Sequence, residues 1–182
     1  QAARQPEPTE LPPRQQQTWE DLLTNENMLP AKARRLDRTK LMVEDILTDE
    51  HMSLHLCKNT YQVQHAQSVI ADIPKAFRFK IGITNDPNRR YHLAHYAYNN
   101  SYIKKKDAVD YEHMLIILIS HSREVCAMLE GGLIVHFQQH EPRRCANRKN
   151  DVDNHLQNDD SDSEDERSEG PYVVYVAVGK RI

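Results

Sequence analysis

The stretch Phe77-Arg78-Phe79-Lys80-Ile81-Gly82-Ile83 constrains the fold of this chain more than any other. Phe77, Phe79, Ile81 and Ile83 alternate with Arg78, Lys80 and Gly82, a period of two that predicts a strand. Asn85-Asp86-Pro87 follows at once. Asn85 or Asp86 can cap a helix, and Pro87 suits its first position. The strand therefore turns into a helix running through Arg89, Arg90, His92 and His95 to about Tyr98.

Other segments fill in around this unit. A helical stripe of Leu36, Val43, Ile46 and Leu47 predicts a helix from Ala31 to about Leu47. Its basic face, with Lys32, Arg34, Arg35, Arg38 and Lys40, is either a solvated face or one that lies along phosphates. A further helix is expected from Tyr61 to Ile73, stopped by Pro74. Tyr98 to Asp110 reads as a polar loop holding Lys104, Lys105 and Lys106. The apolar run Met114 to Ile119 predicts a strand buried on both faces. Ser122 can cap a helix to about Gln139, with Cys126, Leu129, Leu133 and Phe137 as its core stripe and Glu130 on or beside it. Gly131 and Gly132 inside that helix suggest a close backbone approach or a local break. Tyr172 to Val178, opened by Gly170-Pro171, reads as a third strand.

Composition sets the limits. Apolar residues are 38% and charged residues 28% of 182, which fits a compact core with polar flanks. The net charge of −3 divides unevenly. Residues 151–169 carry nine acids against Arg167, or −8, which leaves +5 on the rest. A mildly basic body with an acidic loop is compatible with a polyanion partner. No run approaches the roughly 18 apolar residues of a membrane span, so no membrane partner is expected. The Gln- and Pro-rich start does not read as a signal peptide, although a segment before Gln1 could be missing. Cys57, Cys126 and Cys145 form no close pair. An intracellular, reducing location is expected, nucleus or cytoplasm, with an organelle left open.

These residues resemble the GIY-YIG nuclease family. The resemblance is carried by Lys80-Ile81-Gly82-Ile83-Thr84-Asn85-Asp86-Pro87, by Arg90, and by Ala127-Met128-Leu129-Glu130-Gly131-Gly132-Leu133-Ile134. It covers about residues 77–150. It implies an α+β fold: a small three-stranded antiparallel sheet flanked by helices, here with an N-terminal helical extension. The expected organisation is a disordered arm at 1–17, a helical extension at 18–74, the GIY-YIG-like domain at 75–150 plus 170–182, and an acidic disordered loop at 151–169. The family's leading tyrosine strand does not precede Phe77. Gly170-Pro171-Tyr172-Val173-Val174-Tyr175 resembles it instead, which suggests a circularly permuted order. Alternatively, that strand lies before Gln1 or is absent.

The resemblance implies a divalent-metal-dependent endonuclease acting on DNA. Glu130 would hold Mg2+ (or Mn2+), and Arg90 would stabilise a phosphate oxygen. Tyr172 or Tyr175 would act as general base, with its pKa lowered by Lys80, Arg90 and the metal, and His95 or His92 could share that role. Tyr172 and Tyr175 are three apart on a strand, so at most one belongs to a given site. Gly82, Thr84, Asn147, Lys104 and Lys105 would contact substrate. The alternative is a catalytically inactive module of this type that binds nucleic acid or serves as an assembly subunit. The N-terminal arm could engage a protein partner.

Overall fold

The computed structural model describes residues 11, 33–56, 62–93, 96–148 and 171–182. The expected arm apart from Leu11, the acidic loop, His95 and Gly170 lie outside these residues.

Nine elements follow one another among the described residues. They are α1 (Ala33–Thr48), β1 (Met52–Leu54), α2 (Gln62–Ala71), β2 (Phe77–Thr84), a π-helix (Arg89–Leu93), α3 (Ser101–Asp107), β3 (Val109–Ser120), α4 (Arg123–His140) and β4 (Tyr172–Arg181). The sheet order is β1-β3-β4-β2. β4 pairs antiparallel with both β2 and β3, while β1 runs parallel to β3.

This corrects the expected sheet. It is four-stranded and mixed, not three-stranded and antiparallel. The additional strand, β1, comes from within the segment expected to be helical. Three residues are too few to display a strand period, and Met52-Ser53-Leu54 lies between His51 and His55. A second correction concerns the lysine-rich loop. Lys104–Lys106 lie on α3, which Asn100 caps by accepting from the Tyr102 N–H. Ala108 ends that helix in the left-handed region at φ 52.

Strand β4 explains the layering. Val173 to Val178 are all at most 1% exposed, as expected for a strand covered on both faces. Alternate side chains enter different cores. Val174, Val176 and Val178 join Phe79, Ile81, Ile70 and the α4 residues Cys126, Leu129, Leu133 and Phe137. Val173, Tyr175 and Ala177 join Val43 and Ile46 of α1, Tyr91 of the π-helix, and Tyr98. The sheet thus carries α2 and α4 on one face, and α1 with the π-helix on the other.

The free edge of β2 is sealed by the segment after α4. Phe79 N–H donates to Arg144 O at 2.9 Å, and Ala146 N–H donates to Phe79 O at 2.8 Å. Asn147 then replaces a strand partner with its own amide. It accepts from Ile81 N–H and donates to Ile81 O, both at 2.8 Å. The Arg144 guanidinium donates to the carbonyls of Phe77, Ile73 and Pro74 and pairs with Glu141. An open edge is a template for unwanted pairing, and this lid removes it. Helix α4 runs unbroken through Gly131 and Gly132, and a Cβ at Gly132 would meet nothing within 4 Å. No helix among the described residues is long and apolar enough to cross a membrane.

Candidate functional site

The turn after β2 aims Arg90. Asp86 accepts from Arg89 N–H through its carboxylate at 2.9 Å, while its own N–H donates to the Thr84 hydroxyl at 3.1 Å. Thr84 is thereby engaged in the turn. The chain then takes a π-helical turn rather than the ordinary helix expected, a widening often found at functional sites. The backbone returns to it, with Tyr98 N–H donating to Arg90 O at 3.3 Å and Asn99 N–H to Tyr91 O at 3.1 Å. Tyr98 is thus delivered beneath Arg90.

Tyr175 arrives from the last strand. In the β2–β4 register it lies opposite Gly82. A Cβ built on Gly82 would overlap the Tyr175 hydroxyl and ring, so only glycine admits this approach. Arg90 Nε donates to Tyr175 Oη at 3.1 Å, 85 positions away in sequence. Tyr98 and Tyr175 share a hydrogen bond between hydroxyls at 3.0 Å. The guanidinium lies 5.0 Å from the Tyr98 ring centroid, and Arg90 Nη1 donates to Tyr96 O at 3.2 Å. Three contacts therefore fix one half-buried arginine.

The charge states follow from burial. Burial pushes the Tyr175 and Tyr98 phenols well above their ordinary range, and Arg90 pulls them back only in part. Both stay neutral at physiological pH. The lowered tyrosine pKa expected of a general base is thus reversed in direction at Tyr175. Interaction with Tyr175 and then Tyr98 keeps the Arg90 guanidinium charged.

Lys80 points to the same face but is engaged elsewhere. Its Nζ pairs with Asp107 Oδ2 at 3.1 Å, and the Asp107 side chain is 1% exposed. Tyr111 donates to the same oxygen at 2.9 Å, and Arg78 donates to Asp107 O at 3.0 Å. Asp107 therefore holds Lys80 beside the tyrosine layer, where the Tyr98 and Tyr111 rings lie 4.7 Å apart. Lys104 pairs with Asp110 at 2.5 Å, while Lys105 is exposed.

The remaining expected residues do not converge on Arg90. Glu130 is 3% exposed on α4, whose buried stripe packs against the sheet face opposite Tyr175. One turn earlier is Cys126, whose thiol is pushed up to about 12 by burial and then by Glu130. Tyr172 enters the same core as α4. Asn147 spends its amide on Ile81. His92 pairs with Asp49 at 2.7 Å. The resemblance implies magnesium or manganese on Glu130. Such an ion takes few protein ligands and keeps several waters, so its carboxylate must face water. Glu130 does not, and the sheet lies between it and Arg90. These residues do not fit a metal shared with a phosphate on Arg90.

Sequence reasoning missed Tyr98 and Asp107. Tyr98 falls at the end of the helix that the sequence predicts, where nothing in the local pattern marks it. Asp107 falls in the expected polar loop, where an acid beside three lysines reads as solvated. Comparison with protein-family models, curated proteins and solved structures finds no match to this chain.

Proposed function

We propose that this domain binds the phosphate backbone of nucleic acid through Arg90, as a module with a GIY-YIG-like arrangement that does not hydrolyse it. The observation that carries the reading is the fixing of Arg90 by Tyr175, Tyr98 and Tyr96. A planar guanidinium held in advance is suited to a phosphate oxygen and loses little freedom on binding. Neutral tyrosines supply orientation without charge. The placement of Glu130 across the sheet supports binding without hydrolysis.

A second reading, a divalent-metal-dependent DNA endonuclease, is favoured by the position of β4. The tyrosine strand lies beside β2 although it comes last, as a permuted nuclease requires. One experiment separates the two. Supercoiled plasmid is incubated with the protein in magnesium, manganese or chelator, beside Arg90→Gln and Glu130→Ala variants. The binding reading expects salt-sensitive retention of DNA, weakened by Arg90→Gln, with no nicking in any metal. Metal-dependent nicking lost in Glu130→Ala would establish the nuclease. Retention that is unchanged in Arg90→Gln would remove both readings of the site.

A further inference from the structure

Two tyrosine rings stand half-exposed and paired, one of them on a residue whose backbone contacts Arg90. Tyr96 is 51% exposed and Tyr102 is 50% exposed, and their centroids lie 5.9 Å apart at an edge-to-face angle of 64°. The Tyr96 carbonyl is the group that Arg90 Nη1 contacts, so the pair adjoins the guanidinium. Tyr102 belongs to α3, whose exposed Lys105 and Lys106 add positive charge alongside. Large aromatic rings are normally placed where they can be buried. Here two of them stand together, one on the residue whose carbonyl holds the cation.

We infer that Tyr96 and Tyr102 form a stacking platform for the bases of single-stranded nucleic acid whose phosphate is held by Arg90. The inference rests on the phosphate-binding reading above and narrows its substrate class. In a duplex the bases already stack on one another, and their faces are closed to a protein side chain. An unpaired strand offers a free π-face at every base, and aromatic side chains beside a basic track accept it without sequence preference. The positive charge of Arg90, Lys105 and Lys106 complements the backbone, and the rings complement the bases.

Fluorescence anisotropy with a short labelled oligothymidine, and with a duplex of the same length, tests this. Tyr96→Ala and Tyr102→Ala should each weaken single-strand binding roughly fivefold or more, with less than about a twofold effect on the duplex. Tyr96→Phe and Tyr102→Phe keep the ring and should bind as the parent does. Thermal melting of each variant checks folding, and Tyr96→Leu and Tyr102→Leu, which keep apolar bulk but lose the ring, carry the same expectation should an alanine variant melt early. Alanine variants that hold the single strand as tightly as the parent overturn the platform, as does an equal loss on both nucleic acids. Weakening by Arg90→Gln in that event leaves the phosphate-binding reading standing. A parent protein that binds neither nucleic acid overturns both.

Discussion

The hydroxyl of Tyr175 occupies the space that a side chain on Gly82 would need. The two residues face each other across β2 and β4, and Arg90 is fastened to the hydroxyl so placed. A methyl group at position 82 therefore acts on three elements together. Gly82→Ala is expected to destabilise the fold by about 1–3 kcal/mol through overpacking, measured by urea unfolding. It should also weaken nucleic-acid binding through displacement of Arg90. Tyr175→Leu combined with Gly82→Ala should cost less than the sum of the single changes.

Asn147 is a candidate for substrate contact by resemblance, yet its amide bridges both backbone groups of Ile81. Asn147→Ala should cost about 1–3 kcal/mol of stability, since it leaves a buried donor and acceptor unsatisfied. At a temperature where the variant is folded, its affinity for DNA should equal that of the parent. A selective loss of affinity with unchanged stability would restore the substrate role.

Two helix positions carry residues poorly matched to their backbone. Gly132 is exposed in the middle of α4 with empty space around its α-carbon. Gly132→Ala should raise stability by about 0.5–1 kcal/mol. Ala108 holds φ 52, a conformation that glycine adopts freely. Ala108→Gly should raise stability by up to about 1 kcal/mol. Thermal unfolding of the two variants and their combination tests both, and the gains should add.

His55 links stability to pH. It is 2% exposed, its Nε2 meets the Ser53 hydroxyl at 2.9 Å, and burial, then His65, lowers its pKa to about 4. The unfolded chain has the ordinary value near 6.5 and so binds the proton first as pH falls. Stability from the neutral imidazole is complete above pH 6.5 and is lost progressively down to pH 4. At pH 5 the loss is roughly 2 kcal/mol. Urea unfolding at several pH values should show this slope, and His55→Asn should remove it. An identical slope in the variant would assign the pH dependence to other groups.

The legible parts of the fold are those with a period. The alternation of Phe77 to Ile83 marks β2, and the apolar run Met114 to Ile119 lies in β3, because burial imposes a repeat on neighbouring residues. β1 was illegible because three residues hold no repeat. Its existence depends on β3 offering a parallel edge at Met114, Leu115 and Ile116. In the site, Arg90 stood out through the turn before it. Tyr98 did not, since its meaning comes from a hydroxyl on a strand 77 positions away. The burial that raises the tyrosine pKa values is a property of the assembled sheet and has no local signature. The pattern marks the helix that bears Glu130, but the face that helix presents depends on which side of the sheet it packs.

The place of β4 has a consequence for how the molecule comes into being. β2 and β3 are not neighbours in the sheet, because β4 lies between them. During synthesis both strands leave the ribosome with an unmet row of amides and carbonyls, and they keep it until residues 172–181 emerge. The two cores cannot close before then, since each draws on alternate residues of the same late strand. Closure of the sheet is thus deferred until β4 has been made, and the nascent chain carries the apolar run of β3 exposed for that interval.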